Sequence, residues 1–544
     1  MAFNLELFRL NLYAKSKDGA KPTFENLFEV VCKTEVLLAA TMRIGRNKGS
    51  ETSGVDKVRL SSIKDVSAFV EQLAKELRDG TFKPLPVRQV MIKKPKGGLR
   101  PLGIPSIKDR VVQEAVRSVI EPIFEGIFID YSYGFRPGRN THQAAELIRV
   151  MGSNSTKMWY AVEGDIKSYF STVNHSILLN LLRNKINDQK LISLIRKMLK
   201  AGLMNRKLFQ RTDKGVPQGG ILSPLLANIY LHEMDRHFSD NLHNQSMSQR
   251  RRKRELGIGN SIYIRYADDF IILTNGGIKT AKELKNQCTE ILRGLKLELS
   301  EEKTRISSLN KRGYNFLGFH FQRERSQSGH AVKVKIPNEK WRKYNGKVQE
   351  IFSKIHTNRD IVLGIQAYNR LCVGWGNYYK YCNSFRAKSS SYDSKAFMAC
   401  VHFIAFKKKL SIKEVLKRYS VDNTIEFKGV RMKKLSKVYK GNFKGTYLPK
   451  SSLHGKYEDI FNGADSYWNG INKRGTDWGT IRKQVLERDN YTCQKCGCDL
   501  GSNFSHIHHK KPVKAYVRKD NAHKLNNLIA LCIPCHLTYH SKKS

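Results

Sequence analysis

Long apolar runs are absent from this sequence. No uncharged and consistently apolar stretch approaches the roughly 18–20 residues that a membrane-spanning helix needs, and residues 1–21 show neither a secretory apolar segment nor the acid-poor, Arg-rich pattern of a transit peptide. Membrane insertion and secretion are therefore not expected. Negative charge is scarce too. Asp and Glu number 48 against 97 Lys and Arg, a formal charge of +49. A compact chain with that excess repels itself unless a polyanion lies beside it, and phosphate backbones are the commonest such partner. An evenly spread disulfide framework is also missing. Of ten cysteines, five (Cys493, Cys496, Cys498, Cys532 and Cys535) fall in the last 52 residues, which points to a metal knot in a soluble protein of a reducing compartment such as the cytoplasm. What is present suffices for several cores: 544 residues, 40% of them hydrophobic, give an expectation of about three or four domains.

Residues 1–80 read as helical, with an amphipathic stretch at 66–77 that Gly80 ends. From 84 to 105 the pattern becomes extended, with a strand at 87–92 and a basic turn at 94–98. Helices and short strands alternate over 108–310. The stretch 241–260, with Arg250-Arg-Arg-Lys-Arg254, reads as a mobile basic insertion, either a solvated loop or an RNA contact. Helical segments rich in Lys, Arg and aromatics resume beyond about 337 and continue to about 450, before a connector and the cysteine-rich tail. There is no internal repeat.

The sharpest local signal is Tyr266-Ala267-Asp268-Asp269-Phe270, set between the β-rich runs 261–265 and 271–273. This predicts a hairpin with Asp268 and Asp269 at its tip. Adjacent carboxylates there repel, and hard divalent cations such as Mg2+ relieve the repulsion. A second strand, 159–164, ends at Asp165 and would bring a third carboxylate beside the tip. Three carboxylates holding two metals about 3.5–4 Å apart meet the demands of in-line nucleotidyl transfer. An Asp-Asp pair alone is an ordinary turn; the other pieces give it weight. Lys94 and Arg100 offer two cations that could clamp a triphosphate. Tyr133-Gly-Phe-Arg136-Pro-Gly-Arg139 and Glu163-Gly-Asp165-Ile-Lys-Ser-Tyr-Phe170 follow, then Gly215-Val-Pro-Gln218-Gly-Gly-Ile-Leu-Ser223-Pro224, a turn leading into a helix with Ser223 as N-cap and Pro224 at its first position. Leu284, Cys288, Ile291, Leu292 and Leu295 form a core stripe.

In the tail, Cys493-Gln-Lys-Cys496 and Cys532-Ile-Pro-Cys535 are two Cys-x-x-Cys knuckles, a spacing suited to one structural tetrahedral Zn2+; Cys498 reads as a bystander. Such an ion would replace the core that about 60 residues can barely build. His508-His509, Asn526-Asn527 and His536-Leu-Thr-Tyr-His540 accompany the knuckles, and His536 and His540, four apart, would share a helix face and grip one metal.

The ordered motifs resemble those of the reverse transcriptases encoded by group II introns: the blocks 100–105, 215–231, 266–270, Glu301-Glu-Lys303-Thr304 and Phe316-Leu-Gly-Phe319 are similar to successive family motifs, and the likeness covers essentially the whole chain. The tail resembles the His-Asn-His nucleases. The resemblance implies an α+β multidomain protein. Its parts would be right-hand polymerase fingers and palm over 1–336, a helical thumb and maturase domain over 337–450, a connector and DNA-binding region over 451–480, and a small zinc-bound ββα-metal nuclease over 481–544. Asp165 and Asp268 would ligand both Mg2+ ions with help from Asp269, Lys94 and Arg100 would hold the triphosphate, and Gln218 would touch the nucleotide. Phe170 would crowd the sugar so that a 2′-hydroxyl is disfavoured, with Tyr169 the alternative gate and core packing the alternative for either ring. In the maturase region, 368–381 is similar to a family motif; its aromatics, interleaved with Arg370 and Lys380, could stack bases or simply pack helices. In the nuclease, His508, His536 and His540 would hold one divalent ion, His509 would be the general base, and Asn527, or else Asn526, would orient its loop.

The implied partners are group II intron RNA, target DNA and deoxynucleoside triphosphates, with no membrane and with the oligomeric state left open. The implied setting is the cytoplasm of a bacterium, or an organelle. The implied activity is RNA-directed DNA synthesis, assisted splicing, and nicking of target DNA to prime reverse transcription during intron retrohoming. A binding-only maturase and a standalone defence-type reverse transcriptase are the alternatives; the intact carboxylate and histidine sets oppose the first, and the nuclease tail opposes the second.

Overall fold

The computed structural model describes residues 3–17, 23–93, 97–205, 208–210, 213–326, 329–353, 360–438, 478–497, 500, 505–510, 525–532 and 535. Lys94, His536, His540, Cys498 and most of the expected connector lie outside the described residues, as do the side chains of His509 and Cys532. The chain divides into two compact units, one comprising 1–127, 170–230 and 455–544, the other 128–169 and 231–454. Elements are numbered along the chain.

In the first unit, helices α1 (Leu5–Lys17), α2 (Leu27–Val31) and α3 (Thr34–Gly45) pack on α5 (Ile107–Ile127), and α4 (Val66–Arg78) packs on α3. The spacing of α4 explains its burial: Val70, Leu73, Ala74 and Leu77 share one face, and Asp65 caps its start by accepting from the Ala68 amide at 3.0 Å. Helix α5 is buried on nearly its whole circumference, which requires its charges to be paired. Arg117 bonds Glu114 at 2.7 Å and also Glu121, while Arg43 and Arg9 reach the same two carboxylates at 2.9 and 3.2 Å. A four-stranded sheet follows the order β2-β1-β4-β5, from β1 (Val87–Lys93), β2 (Leu99–Ile104), β4 (Leu203–Asn205) and β5 (Leu208–Gln210). The unit also holds α8 (His175–Arg183) and α9 (Gln189–Leu199), capped by Asn174 and Asp188. The single turn α7 (Tyr169–Thr172) starts at the unit boundary, and α10 (Ser223–Phe238) begins at the expected Ser223.

The second unit is built on the sheet β6-β7-β3-β8, formed by β3 (Tyr160–Asp165), β6 (Ser261–Tyr266), β7 (Asp269–Thr274) and β8 (Arg305–Ser308), with antiparallel pairing throughout. The central β7 reads Asp269-Phe-Ile-Ile-Leu-Thr274, a continuous apolar run after its first residue, because both faces are covered. Helix α12 (Gly277–Gly294) buries Leu284, Cys288 and Leu292, with Leu295 just beyond its end; Ile291 is only half-buried. Strands β9 (Tyr314–Phe316), β10 (Phe319–Ser326) and β11 (Gly329–Lys335) make a second sheet. Helices α6 (Thr141–Met151), α13 (Asn338–Ile351), α14 (Ile361–Tyr379), α15 (Asn383–Lys408) and α16 (Ile412–Tyr419) complete the unit, and one apolar core runs unbroken from Tyr133 to Leu435.

Two features differ from the sequence reading. The basic stretch expected as a mobile loop is ordered: a π-helical turn, Ser239–His243, leads into helix α11 (Met247–Glu255). The region expected to be helical up to 450 also contains a small sheet, β12 (Ser420–Val421), β13 (Thr424–Phe427) and β14 (Val430–Arg431). Its tight turns place Asp422, Asn423, Lys428 and Gly429 at positive φ, the geometry of two-residue hairpin loops. The aromatic segment of α14 serves packing: Tyr368 and Tyr379 are buried, and Tyr378 stacks on Phe319 with ring centroids 5.2 Å apart.

The C-terminal residues have their own small core, in which α17 (Trp478–Arg488) packs on a hairpin of β15 (Ser505–His509) and β16 (Leu528–Cys532). Buried Asp489 joins them by accepting from the Ala530 amide at 2.7 Å. Among the described residues no helix is long and apolar enough to cross a membrane.

Candidate catalytic centres

Strand pairing puts the carboxylates together. Asp165, the last residue of β3, is in register with Asp269, the first residue of β7, and Asp268 lies in the turn that joins β7 to β6. Side chains alternate along a strand, so this register decides which face each carboxylate occupies. Asp165 is also tied to the segment after α12, since its carbonyl accepts from the Ser300 amide at 2.8 Å. That segment delivers Lys303, whose Nζ sits 2.7 Å from Asp165 Oδ2.

The electrostatics follow from this crowding. Asp269 keeps an open face to solvent, yet desolvation by the surrounding protein, with the negative charges of Asp268 and Asp165, pushes its carboxyl up to about 6; Lys303 only partly offsets this. The negative charges of Asp165, Asp268 and Asp269 act on one another, and a hard divalent cation at that turn would relieve their repulsion. An ordinary Asp titrates near 3.8, so the metal-free fold loses stability as pH rises from there through about 6. Bound Mg2+ should restore that stability. The Mg2+-induced rise in melting temperature is therefore expected to be larger at pH 7 than at pH 5, with the difference lost in Asp269→Asn; equal shifts in the parent chain would contradict the reading.

Local structure fixes the turn. A Cβ on Gly134 would lie 2.2 Å from the Ala267 amide nitrogen, so the Tyr133-Gly-Phe motif rests backbone to backbone on the turn. A Cβ on Gly164 would meet the Phe270 ring at 2.1 Å, which explains the glycine just before Asp165. From beneath, Arg265 Nη1 donates to the Ala267 carbonyl at 2.9 Å while its Nε donates to Asp235 Oδ1 at 2.6 Å. Tyr263 Oη adds a bond to the same Asp235 oxygen at 3.1 Å. Arg265 and Asp235 are both buried. Burial alone would raise the Asp235 pKa, but the Arg265 guanidinium outweighs it and holds the carboxyl well below its usual range. Asp235→Asn, which strands the guanidinium, should cost about 3–5 kcal/mol of stability, read from the denaturation midpoint. A change near zero would mean that the pair does not support the turn.

The sequence reading gave no role to Lys303, Gly134, Asp235 or Arg265. Lys303 stands in the block 301–304 already singled out in the sequence, where it closes the acidic run Ser300-Glu-Glu-Lys303; the Asp235–Arg265 pair has no local signature.

In the first unit, Arg100 is exposed on β2, and its Nε donates to Gln218 Oε1 at 2.8 Å, while the Gln218 carbonyl accepts from the Gly103 amide at 2.6 Å. Phe170 is 9% exposed and its carbonyl accepts from the Val216 amide at 2.7 Å; Tyr169, in the second unit, is 2% exposed.

In the C-terminal module the sulfur atoms of Cys493, Cys496 and Cys535 lie within 4.8 Å of one another. The first knuckle is shaped by Gly497, which takes φ +74° while its amide donates to the Cys493 carbonyl at 2.8 Å. Three converging thiols fit a thiophilic ion such as zinc. Cys532 ends β16. His508 is buried on β15, where it pairs with Ile529, and His509 pairs with Leu528. Asn527 is buried and Asn526 exposed, and the Asn527 carbonyl accepts from the Lys510 amide at 2.8 Å, next to His509.

Comparison with known proteins gives two family matches: reverse transcriptase (RNA-dependent DNA polymerase) over residues 92–321, and HNH endonuclease over residues 493–542. The chain is 36% identical over 364 residues to Protein YkfC of Escherichia coli (strain K12), covering 62% of this chain and 94% of that protein. It is 34% identical over 358 residues to the group II intron-encoded protein LtrA of Lactococcus lactis subsp. cremoris, covering 57% of this chain but only 59% of LtrA. An uncharacterized 91 kDa protein in the cob intron of Schizosaccharomyces pombe is 27% identical over 587 residues, spanning 95% of this chain and 70% of its own length. The first family match contains the aspartate turn and the second contains the thiol knuckles, and with relatives of this kind the chain belongs to the group II intron-encoded reverse transcriptases and maturases that carry a C-terminal HNH endonuclease domain.

Proposed function

We propose that this chain binds its own intron RNA, promotes splicing, nicks target DNA and extends the nicked end by copying the RNA. The register that brings Asp165 against Asp269 beside Asp268 is the observation that supports the copying step most strongly. In this reading, 1–336 form fingers and palm, 337–450 thumb and maturase domain, 451–480 a DNA-binding connector, and 481–544 the nuclease. Asp165, Asp268 and Asp269 would hold two Mg2+ ions, and His508, His536 and His540 one divalent ion. When bound, such ions activate the attacking oxygen and stabilise the leaving group of an in-line phosphoryl displacement.

The chain's own residues do the rest. Arg100, with Lys94, neutralises the incoming triphosphate, and Gln218 reaches the nucleotide from the position that its bond to Arg100 gives it. Phe170 crowds the sugar against a 2′-hydroxyl. In the tail, Cys493, Cys496, Cys532 and Cys535 hold a structural Zn2+, His509 takes the proton of the attacking water, and Asn527 keeps the loop in place. The +49 charge favours a polyanionic partner throughout.

The test of the RNA side is a splicing assay on a precursor that contains the chain's own intron. At Mg2+ too low for self-splicing, the protein should restore splicing; no effect on that precursor would contradict the maturase role.

A further inference from the structure

Helix α11 has no part in either catalytic centre. Its nine residues, Met247-Ser-Gln-Arg-Arg-Arg-Lys-Arg-Glu255, hold five consecutive cations and one acid. Like charges at helical spacing repel, so the helix needs other support. A capping box supplies it: Ser246 Oγ accepts from the Gln249 amide at 3.2 Å, and Gln249 Oε1 accepts from the Ser246 amide at 2.8 Å. Two of the cations fasten the helix down. Arg250 donates to the carbonyls of His243 and Gln245 at 3.0 and 3.3 Å, and Lys253 donates to the Asn241 carbonyl at 3.3 Å.

The base of this insertion is fixed to the carboxylate sheet. His243 Nε2 accepts from the Tyr263 amide of edge strand β6 at 3.0 Å, and its ring meets Tyr131 edge-on with centroids 4.3 Å apart. Helix α11 is tied through its first turn near the start of β6, where Asn260 Nδ2 donates to the Arg250 carbonyl at 3.3 Å. From there β6 runs six residues to the aspartate turn, a distance of about 20 Å. The cations not used for anchoring, Arg251, Arg252 and Arg254, are all exposed, and among the described residues only Arg251 meets an acid, Glu255 at 2.8 Å.

We infer that α11 docks the phosphate backbone of a double-helical RNA stem other than the primer–template duplex. A merely solvated face mixes charges of both signs about evenly, whereas this helix sets five cations against the single acid Glu255. Single-stranded nucleic acid is bound on stacking aromatics, and α11 has none; duplex RNA is recognised by shape and phosphate contacts. The inference rests on the RNA-binding part of the proposed function and names the surface that serves it.

The test uses the full chain and a blunt RNA stem-loop of about 16 base pairs, with binding followed against salt concentration. In the combined variant Arg251→Gln, Arg252→Gln, Arg254→Gln, affinity at low salt should fall about tenfold or more, and the slope of log affinity against log salt should shrink by about two to three. Extension of a short primer–template should stay within about twofold of the parent, because the strand length separates α11 from the aspartates. The corresponding triple Arg→Lys variant should keep the parent's slope. An unchanged slope in the Gln variant would overturn the inference. So would a parallel loss of primer extension, or a loss confined to a DNA duplex of the same length. A parent chain that does not bind the stem would instead contradict the RNA-binding part of the proposed function.

Discussion

Primer extension on an RNA template is expected to fall by about 10³-fold or more in Asp268→Ala, with the melting temperature of the metal-free chain unchanged or slightly raised. The two halves of this prediction have one cause. Asp268 sits part-exposed in a turn whose shape is set by Ala267, Gly134 and Arg265, and its carboxylate adds negative charge beside Asp269. Removing it relieves the repulsion on Asp269 and takes away one of the proposed donors for the cation. Asp165→Asn should be equally inactive. Retained extension in either variant, measured as deoxynucleotide incorporated at saturating Mg2+, would mean that polymerisation uses other residues.

His509→Ala should lower target-DNA nicking by about 10²–10⁴-fold, as loss of a general base does, while cDNA synthesis from a supplied primer is retained. The C-terminal residues have their own apolar core and their own thiol cluster, so a single change on β15 should stay local. The bound zinc content should also remain that of the parent. Cys493→Ser provides the contrast, because losing a structural ligand should release zinc and nicking together. If His509→Ala loses cDNA synthesis as well, the two activities are not separable.

Much of this was legible where local pattern and structure coincide. The apolar runs around Asp268 and Asp269 specify a hairpin because alternation and turn lie within a dozen residues, and 66–77 specifies a helix because its apolar residues fall on one face. The strand ending at Asp165 was readable for the same reason. That it would lie beside the hairpin was expected as well, but its residue-by-residue register against β7 was not, since register is fixed by pairing across more than a hundred residues. The Asp235–Arg265 pair under the turn escaped notice because each residue, taken alone, looks like an ordinary surface charge. Helix α11 read as a loop because a run of five cations suggests repulsion; what orders it is a cap and three backbone anchors supplied by its flanks. The sheet at β12–β14 was missed although Asp422-Asn423 and Lys428-Gly429 are turn pairs between short β-favouring stretches.

Crystals of the full chain grown with primer–template, an unreactive nucleotide and Mn2+ in place of Mg2+ would show anomalous density wherever divalent ions bind. Two peaks about 3.5–4 Å apart, bridged by Asp165 and Asp268 with Asp269 alongside, are the expected result. Manganese bound elsewhere, with Asp165 contacting none of it, would contradict the account at its centre.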